Sequence, residues 1–337
     1  MAATQAPPRL FWNTATVTVE AVFHRRVRLA ATLAAATTAC GSSSSPNTPA
    51  GGQPDKVKTG VISIVDVAPI YLGKQQGFFS RRNIDLTLET AQGGSAIVPA
   101  VVSGQYQFGF SNVISLLLAQ SRKLPIKAVT NGTNSTGKPD ADFGGLVVKD
   151  PAITSPRALE GKKVATNTLK NIVDTSVRDI VKKDGGDPNK VSFVELAFPD
   201  MAAALDAGNV QAIFAVEPFL SAAKAKGWKV IASYADVDPK LCVALYLTST
   251  QLIASNPDLV KRFSDAMKES LAYADSHPDE VRAVLASYTQ ISEGLRKTLI
   301  LPTWPADIDR DSITKLGDLA VSDGLLTAKP DLGALLP

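Results

Sequence analysis

The sequence is poor in residues that hold metal ions or act as catalytic imidazoles. Its 337 residues include only two cysteines, Cys40 and Cys242, and two histidines, His24 and His277. Zinc sites usually take four ligands, mostly cysteine and histidine, so we expect no metal, no cofactor and no catalytic residues. No apolar run reaches the ~18 residues that a membrane-spanning helix needs. The length and composition predict a globular protein of about two domains.

The chain also lacks an excess of either charge outside the N-terminal segment. The chain has 35 basic and 32 acidic side chains, and residues 1–39 hold four of the basic and one of the acidic ones. The remainder therefore has 31 of each and is formally neutral. A neutral body has no extended positive field, so no nucleic-acid partner is expected.

The N-terminal segment has the pattern of a signal peptide. A basic cluster at 24–28 precedes an apolar stretch at 29–39, which ends at Cys40. Small residues followed by Cys and a Ser/Gly-rich stretch resemble a bacterial lipoprotein processing site. We therefore predict a signal peptide over 1–39, lipidation of Cys40, a flexible tether over 40–55 and an extracytoplasmic protein anchored to the membrane. The alternative is an ordinary secretory signal in which Cys40 has no role.

From residue 56 onward, short strand patterns alternate with helical patterns in two successive sets. Such alternation with short links predicts an α/β fold made of two doubly wound lobes, with largely parallel sheets. Asn256 followed by Pro257 marks a helix start, and Ser276 is a candidate cap for the helix after it.

Polar residues follow the predicted strands, where ligands bind in doubly wound sheets. These small hydroxyl, amide and acidic residues suit a compact polar solute. Their alternative role is helix capping, which is common for Ser, Thr and Asn. The predicted ligand-binding residues are Asp66, Gly94, Ser95, Ser111, Asn112, Asn131, Asn167, Thr168 and Glu217.

Glu217 is the most distinctive member of this set, because Glu is not a preferred helix cap. A carboxylate at the mouth of a cleft would select a solute with an ammonium, amidine or amino-heterocycle group. Asp66 is expected to assist it or to be an ordinary turn residue. On this hypothesis, Glu217→Ala loses solute binding without loss of folding.

One motif is rejected as a nucleotide site. Residues 132–138 (GTNSTGK) match the first seven positions of a phosphate-binding loop, but Pro139 stands where Ser or Thr should bind magnesium. The residues that follow do not continue as a helix, so the segment is predicted to be a polar loop.

Seven short segments carry a family resemblance: YLGKQQGFF at 71–79, DLTL at 85–88, QGGS at 92–95, SGQYQFG at 103–109, LEGKKVA at 159–165, AALDAG at 203–208 and VEPF at 216–219. They resemble an extracytoplasmic solute-binding family that serves ABC importers, with members that bind sulfonates, taurine, nitrate or the thiamine pyrimidine precursor.

The resemblance implies a bilobed periplasmic-binding-protein fold of type II, in which crossover strands let two lobes close on a solute. It places the first lobe at 56–143 and 244–337, the latter mostly helical, and the second lobe at 144–243. It also implies an ABC permease and an ATPase subunit as partners.

Two other functions are disfavoured by the sequence, and the identity of the solute stays open. Eukaryotic relatives of the family make the thiamine pyrimidine, using an active-site His and a Cys-rich segment that this sequence lacks. A regulator would need a helix-turn-helix before the lobes, and residues 1–55 contain no such pattern. Among the solutes, the candidate residues favour a zwitterion or a nitrogen heterocycle over nitrate or a sulfonate.

Overall fold

The alternating pattern of the chain folds into two mixed β-sheets flanked by helices. The structure is a computed structural model that describes residues 53–337. The predicted signal peptide, Cys40 and residues 40–52 of the predicted tether lie outside these residues. The strands are β1 (Asp55–Val61), β2 (Ile84–Thr90), β3 (Phe108–Asn112), β4 (Ile126–Asn134), β5 (Gly144–Val148), β6 (Lys163–Thr166), β7 (Ser192–Glu195), β8 (Ala212–Val216), β9 (Lys229–Ser233) and β10 (Cys242–Ser249).

Helices connect these strands and make up the C-terminal part of the chain. The α-helices are α1 (Ala68–Gln75), α2 (Gly94–Val102), α3 (Val113–Ser121), α4 (Ile172–Lys183), α5 (Phe198–Asp206), α6 (Phe219–Ala225), α7 (Tyr234–Val237), α8 (Thr250–Ser255), α9 (Pro257–Ser276), α10 (Pro278–Val284), α11 (Glu293–Thr298), α12 (Arg310–Ser322) and α13 (Leu332–Leu335). Short 3₁₀ turns lie between some of them, including Val65–Val67.

Each sheet has five strands, and each contains one strand that runs against its neighbours. The first sheet has the order β2-β1-β3-β10-β4, and the second has the order β7-β6-β8-β5-β9. β10 pairs antiparallel with β3 and β4, and β5 pairs antiparallel with β8 and β9. The other pairings are parallel. The chain passes from the first sheet to the second on entering β5, and returns to the first sheet on entering β10. We call each sheet with its helices a lobe: lobe 1 contains β1–β4 and β10, and lobe 2 contains β5–β9.

Local signals place several helices correctly. The Asn256 side chain accepts a hydrogen bond from Leu259 N–H at 3.1 Å and caps α9, as predicted. Ser276 does not cap the next helix, because its hydroxyl donates back to carbonyls of α9 and so extends that helix. The chain turns instead at His277, and α10 begins at Pro278.

Aromatic stacking joins α9 to the first sheet. Phe263 of α9 stacks on Phe108 of β3 with ring centroids 3.7 Å apart, and Tyr246 of β10 lies edge-on to the same ring. All three side chains are buried. This packing fixes α9 against the first residue of β3 and the middle of β10.

Candidate functional site

The two lobes touch along the edge where their strands end. Val65 N–H, in the turn after β1, donates to the carbonyl oxygen of Glu217 after β8 at 3.0 Å. Asn171 Nδ2, at the start of α4, donates to Ser115 Oγ of α3 at 2.9 Å. The predicted site residues of the two lobes therefore face a common boundary.

Asp66 is a buried carboxylate at this boundary. Asp66 is only 2% exposed, and its Oδ2 has no hydrogen-bond partner within the described residues. Its backbone carbonyl accepts from Thr133 Oγ1 and from Trp304 Nε1, each at 3.1 Å, which fixes the turn. Burial, with a smaller contribution from the charge of Asp142, raises the pKa of Asp66 to about 7.

The charge of Asp66 contributes to raising the pKa of three tyrosines, which come from both lobes. Burial first and the charge of Asp66 second raise the pKa of Tyr246 in lobe 1 and of Tyr234 in lobe 2. Tyr288 also has a raised pKa, from burial, Tyr71 and Asp66 in that order. The Tyr288 hydroxyl donates to a backbone carbonyl, whereas the Tyr246 hydroxyl is buried without a partner.

Five other predicted residues meet around the start of α2. A Cβ on Gly94 would collide with Ser111 Oγ, and that buried hydroxyl has no hydrogen-bond partner. A Cβ on the neighbouring Gly93 would lie 3.2 Å from Thr168 Oγ1 and 3.6 Å from Asn167 Nδ2, both in lobe 2.

Ser95 lies beside this contact, at the mouth of a groove. It is exposed, and with Ser115, Thr168 and Asn171 it lines a groove of about 460 Å³. The structure thus brings Gly94, Ser95 and Ser111 of lobe 1 against Asn167 and Thr168 of lobe 2.

Two predicted residues have structural partners instead. Asn112 caps α3 by accepting from Ser115 N–H at 3.0 Å, which is the capping alternative. Asn131 Nδ2 donates to Asn134 Oδ1 at 2.9 Å and to Pro305 O at 2.8 Å. Its carbonyl oxygen accepts from the buried Cys242 thiol, so the Asn131 amide is engaged inside lobe 1.

Glu217 also has hydrogen-bond partners inside the protein. Its residue is fully buried, Oε1 accepts from Ser221 Oγ at 2.7 Å, and Oε2 accepts from Ser221 N–H at 3.0 Å. Ile300 N–H, in the C-terminal segment, donates to Oε1 at 3.2 Å. Burial nevertheless raises the pKa of Glu217. The carboxylate therefore joins α6 to the C-terminal segment, and its contact with a solute stays a prediction.

Asp142, which the sequence analysis missed, joins the two segments that cross between the lobes. Its Oδ2 accepts from Ser135 Oγ at 2.6 Å and from Ala235 N–H at 2.8 Å. Its Oδ1 accepts from the N–H groups of Thr136 and Phe143 at 3.0 and 2.9 Å. Four donors on one carboxylate fix the start of β5 and the start of α7 relative to each other.

Tyr234 and Tyr246 were missed as well. Tyr246 lies in the apolar run 241–247, which is readily interpreted as an ordinary buried strand. The one available signal was the hydroxyl, because a tyrosine inside a buried strand needs a partner for it.

Two other features were searched for within residues 53–337. That part of the chain holds no group of three or more His, Cys, Asp or Glu side chains placed to ligate a metal ion. Within the same range, every helix is too short or too polar to cross a membrane.

Solved structures share this architecture. One is the ligand-binding component of an ABC-type import system from Staphylococcus aureus with zinc bound: the TM-score is 0.73 at 15% identity, over 84% of this chain and 96% of that one. Another is the alkanesulfonate-binding protein of Xanthomonas axonopodis pv. citri bound to MOPS, with a TM-score of 0.72 at 18% identity, over 85% of this chain and 99% of that one. Identities this low show the fold alone, and they confirm the predicted periplasmic-binding-protein fold.

A sequence relative carries an enzyme name. The 4-amino-5-hydroxymethyl-2-methylpyrimidine phosphate synthase of Aspergillus parasiticus is 24% identical over 225 residues, 63% of this chain. The match spans 64% of the length of that enzyme. The profile of the NMT1/THI5-like family matches residues 64–281, more than half of the chain. On this match, and in agreement with the predicted resemblance, the chain belongs to the NMT1/THI5-like family.

Proposed function

We propose that this protein is a membrane-anchored solute-binding lipoprotein of an ABC importer. It captures a small polar organic solute between its two lobes and delivers it to a permease, with an ATPase subunit driving transport. The lobes comprise residues 56–143 with 244–337 and residues 144–243, and they close by a hinge motion at the two crossing segments.

The observation that carries this proposal is a set of three buried polar atoms without partners, of which those of Asp66 and Ser111 lie at the lobe boundary. Asp66 Oδ2, Ser111 Oγ and Tyr246 OH each lack a hydrogen bond within the described residues. A buried polar group without a partner costs about 1–3 kcal/mol, and folded proteins contain few of them. A solute held between the lobes would complete these hydrogen bonds and favour the closed state.

The central experiment measures binding, closure and chemical fate together. We expect a small solute to raise the Tm, and at 100 times its Kd the gain is about 2.7 kcal/mol. Small-angle scattering should show a smaller radius of gyration with solute, and mass spectrometry should recover the solute unchanged. Turnover of the solute contradicts the proposal. So does saturable binding that neither compacts an open protein nor weakens in variants of the cleft residues.

The lipid anchor is tested separately on the full chain. Expressed in a bacterium with lipoprotein processing, the protein should fractionate with membranes, and mass spectrometry should find acyl chains on Cys40. Cys40→Ser should move it to the soluble extracytoplasmic fraction, whereas Cys242→Ser should leave it in the membrane fraction. An unmodified Cys40 in a secreted, soluble protein contradicts anchoring.

A second function is favoured by the enzyme name of the Aspergillus parasiticus relative. A pyrimidine synthase of this family would consume an active-site histidine. In the described residues, His277 lies at the α9–α10 junction, where its ring stacks on Tyr273 at 3.7 Å and Nδ1 bonds to Tyr273 O and Ser276 Oγ. That position is a helix end, so we rank this function second. A pyrimidine product, or mass loss at His277 after incubation, would reverse the order.

A further inference from the structure

We propose that residues 299–305 form a strap that latches lobe 2 to lobe 1 and couples closure of the lobes to the turn that carries Asp66. The strap lies between α11 and α12. This inference rests on the proposed function, since it concerns the closure of the same two lobes.

Hydrogen bonds fix the middle of the strap to lobe 1. Thr303 pairs with Asn134, the last residue of β4, through two backbone hydrogen bonds of 2.9 and 3.1 Å. Trp304 N–H donates to Asp275 Oδ1 of α9 at 2.9 Å, and Trp304 is only 1% exposed. This part of the strap therefore moves with lobe 1.

The start of the strap reaches lobe 2. Ile300 N–H donates to Glu217 Oε1 at 3.2 Å, which is the one hydrogen bond between the strap and lobe 2 in the described residues. Ile300 also lines a groove of about 400 Å³ together with Leu220 and Trp228 of lobe 2. Because the strap is fixed to lobe 1, rotation of lobe 2 away from it must break this bond and separate Ile300 from the groove.

A second donor from lobe 1 reaches Glu217 and closes a ring of contacts. Val65 N–H donates to the carbonyl oxygen of Glu217 at 3.0 Å. Trp304 Nε1 donates to the carbonyl oxygen of Asp66, the residue after Val65, at 3.1 Å. Three hydrogen bonds and the chain from Ile300 to Trp304 thus join the turn, Glu217 and the strap. Loss of one bond weakens the others, because each bond positions the groups that make the next one.

One amide in this ring reports the opening of the boundary. Val65 N–H bonds across the boundary to Glu217, so its exchange with solvent requires the lobes to separate there. Ala91 N–H bonds to Val61 O within lobe 1 at 2.8 Å, so its exchange reports the stability of that lobe instead.

The test is amide hydrogen exchange, followed by NMR on the full-length protein without solute. Ile300→Pro removes the N–H donor, and Leu299 (φ −60°, ψ 138°) already has a conformation that a following proline accepts. We expect the Val65 amide to exchange about tenfold faster, the Ala91 amide to keep its rate and the radius of gyration to increase. The matched control is Ile300→Val, which keeps the N–H and should exchange like the wild type.

Trp304→Phe opens the same ring at its other end, because it removes the donor to Asp66 O. We expect the Val65 amide to exchange about fivefold faster, again with Ala91 as the reference. In the double variant with Ile300→Pro, the acceleration should be smaller than the product of the two single effects, because both substitutions break one ring.

The Tm of each variant checks folding. An unchanged Val65 exchange rate in Ile300→Pro, or in Trp304→Phe if the proline variant does not fold, overturns this inference. Effects that multiply in full overturn the coupling to the Asp66 turn. The proposed function stands in these cases if Ser115→Ala, which removes the acceptor of Asn171 across the boundary, enlarges the radius of gyration. If all these variants leave the radius of gyration unchanged, the lobes do not open and the proposed function fails as well.

Discussion

The turns at Asp66 and Glu217 hold two buried carboxylates at one lobe boundary, yet their surroundings differ. The turns are joined directly, because Val65 N–H donates to the carbonyl oxygen of Glu217 at 3.0 Å. The Glu217 carboxylate has three donors from Ser221 and Ile300, whereas Asp66 Oδ2 has none. Burial at a strand end thus does not by itself indicate a ligand contact. The hydrogen bonds that the protein leaves unmade are the better sign.

The largest effect is expected for Glu217→Ala, which removes the occupied carboxylate. Three hydrogen bonds disappear, and the N–H groups of Ser221 and Ile300, the first buried and the second partly buried, lose their acceptor. We expect the free energy of unfolding in urea to fall by about 3–5 kcal/mol. Glu217→Gln should cost less, because it retains one acceptor oxygen. An unchanged free energy of unfolding, with lost solute binding, would restore Glu217 as a solute contact.

Asp66→Asn should instead raise the free energy of unfolding at high pH. The folded-state pKa of about 7 exceeds the reference value of 3.8, so the folded protein holds this proton more tightly than the unfolded chain. The contribution of this tightly held proton to the free energy of unfolding is fully present below about pH 4 and is lost as the pH rises through 7. The variant should therefore be more stable than the wild type by about 2–4 kcal/mol at pH 8, in the absence of solute.

Urea unfolding at several pH values between 4 and 8 checks this difference. Asp85→Asn should keep the wild-type slope, because Asp85 is exposed to solvent. If the free energies of unfolding of Asp66→Asn and of the wild type change in parallel with pH, burial does not raise the pKa of Asp66 in the folded protein.

A smaller effect is expected at the contact that holds the lobes together. Ser115→Ala removes the acceptor of Asn171 Nδ2, a bond of 2.9 Å between lobes. A loss of about 1 kcal/mol would raise the ratio of open to closed molecules about fivefold. Small-angle scattering should then give a larger radius of gyration without solute. Ser121→Ala is the control, since Ser121 bonds to Leu118 O within its own helix, and it should change nothing.

The smallest effect is expected for Tyr246→Phe in the absence of solute. The hydroxyl has no protein partner, so its removal breaks no hydrogen bond inside the protein. The free energy of unfolding should stay within about 0.5 kcal/mol of the wild type, or rise slightly. A loss of 2 kcal/mol or more would mean that the hydroxyl has a structural role that the proposed site does not give it.

Much of the fold was predictable because its signals are local. The alternation of strand and helix patterns from residue 56 onward agrees with the order of the elements, and the Asn256 cap starts α9 as expected. The reversed direction of β5 and β10 was not predictable in this way. Strand direction depends on how the chain returns to a sheet, and residues far apart in sequence decide that.

The candidate site was predictable as a region more than as a set of contacts. Gly94, Ser111, Asn167 and Thr168 do converge, because strand ends and helix starts share one edge of each sheet. The same rule also selected Asn131, whose amide turns out to bond inside lobe 1. A strand-end position fixes the neighbourhood of a side chain but not its partners.

The sequence by itself determined the alternation of strands and helices, the two lobes and the polar edge between them, because each of these follows from periodicity and turn chemistry within short segments. Only the tertiary structure decided which carboxylate has hydrogen-bond donors from the protein and which has an oxygen without a partner. Ile300 reaches Glu217 across 83 residues, and Thr133 reaches the Asp66 turn across 67. The packing of whole lobes decides hydrogen-bond partners that are this far apart in sequence, so the pattern of a short segment cannot predict them.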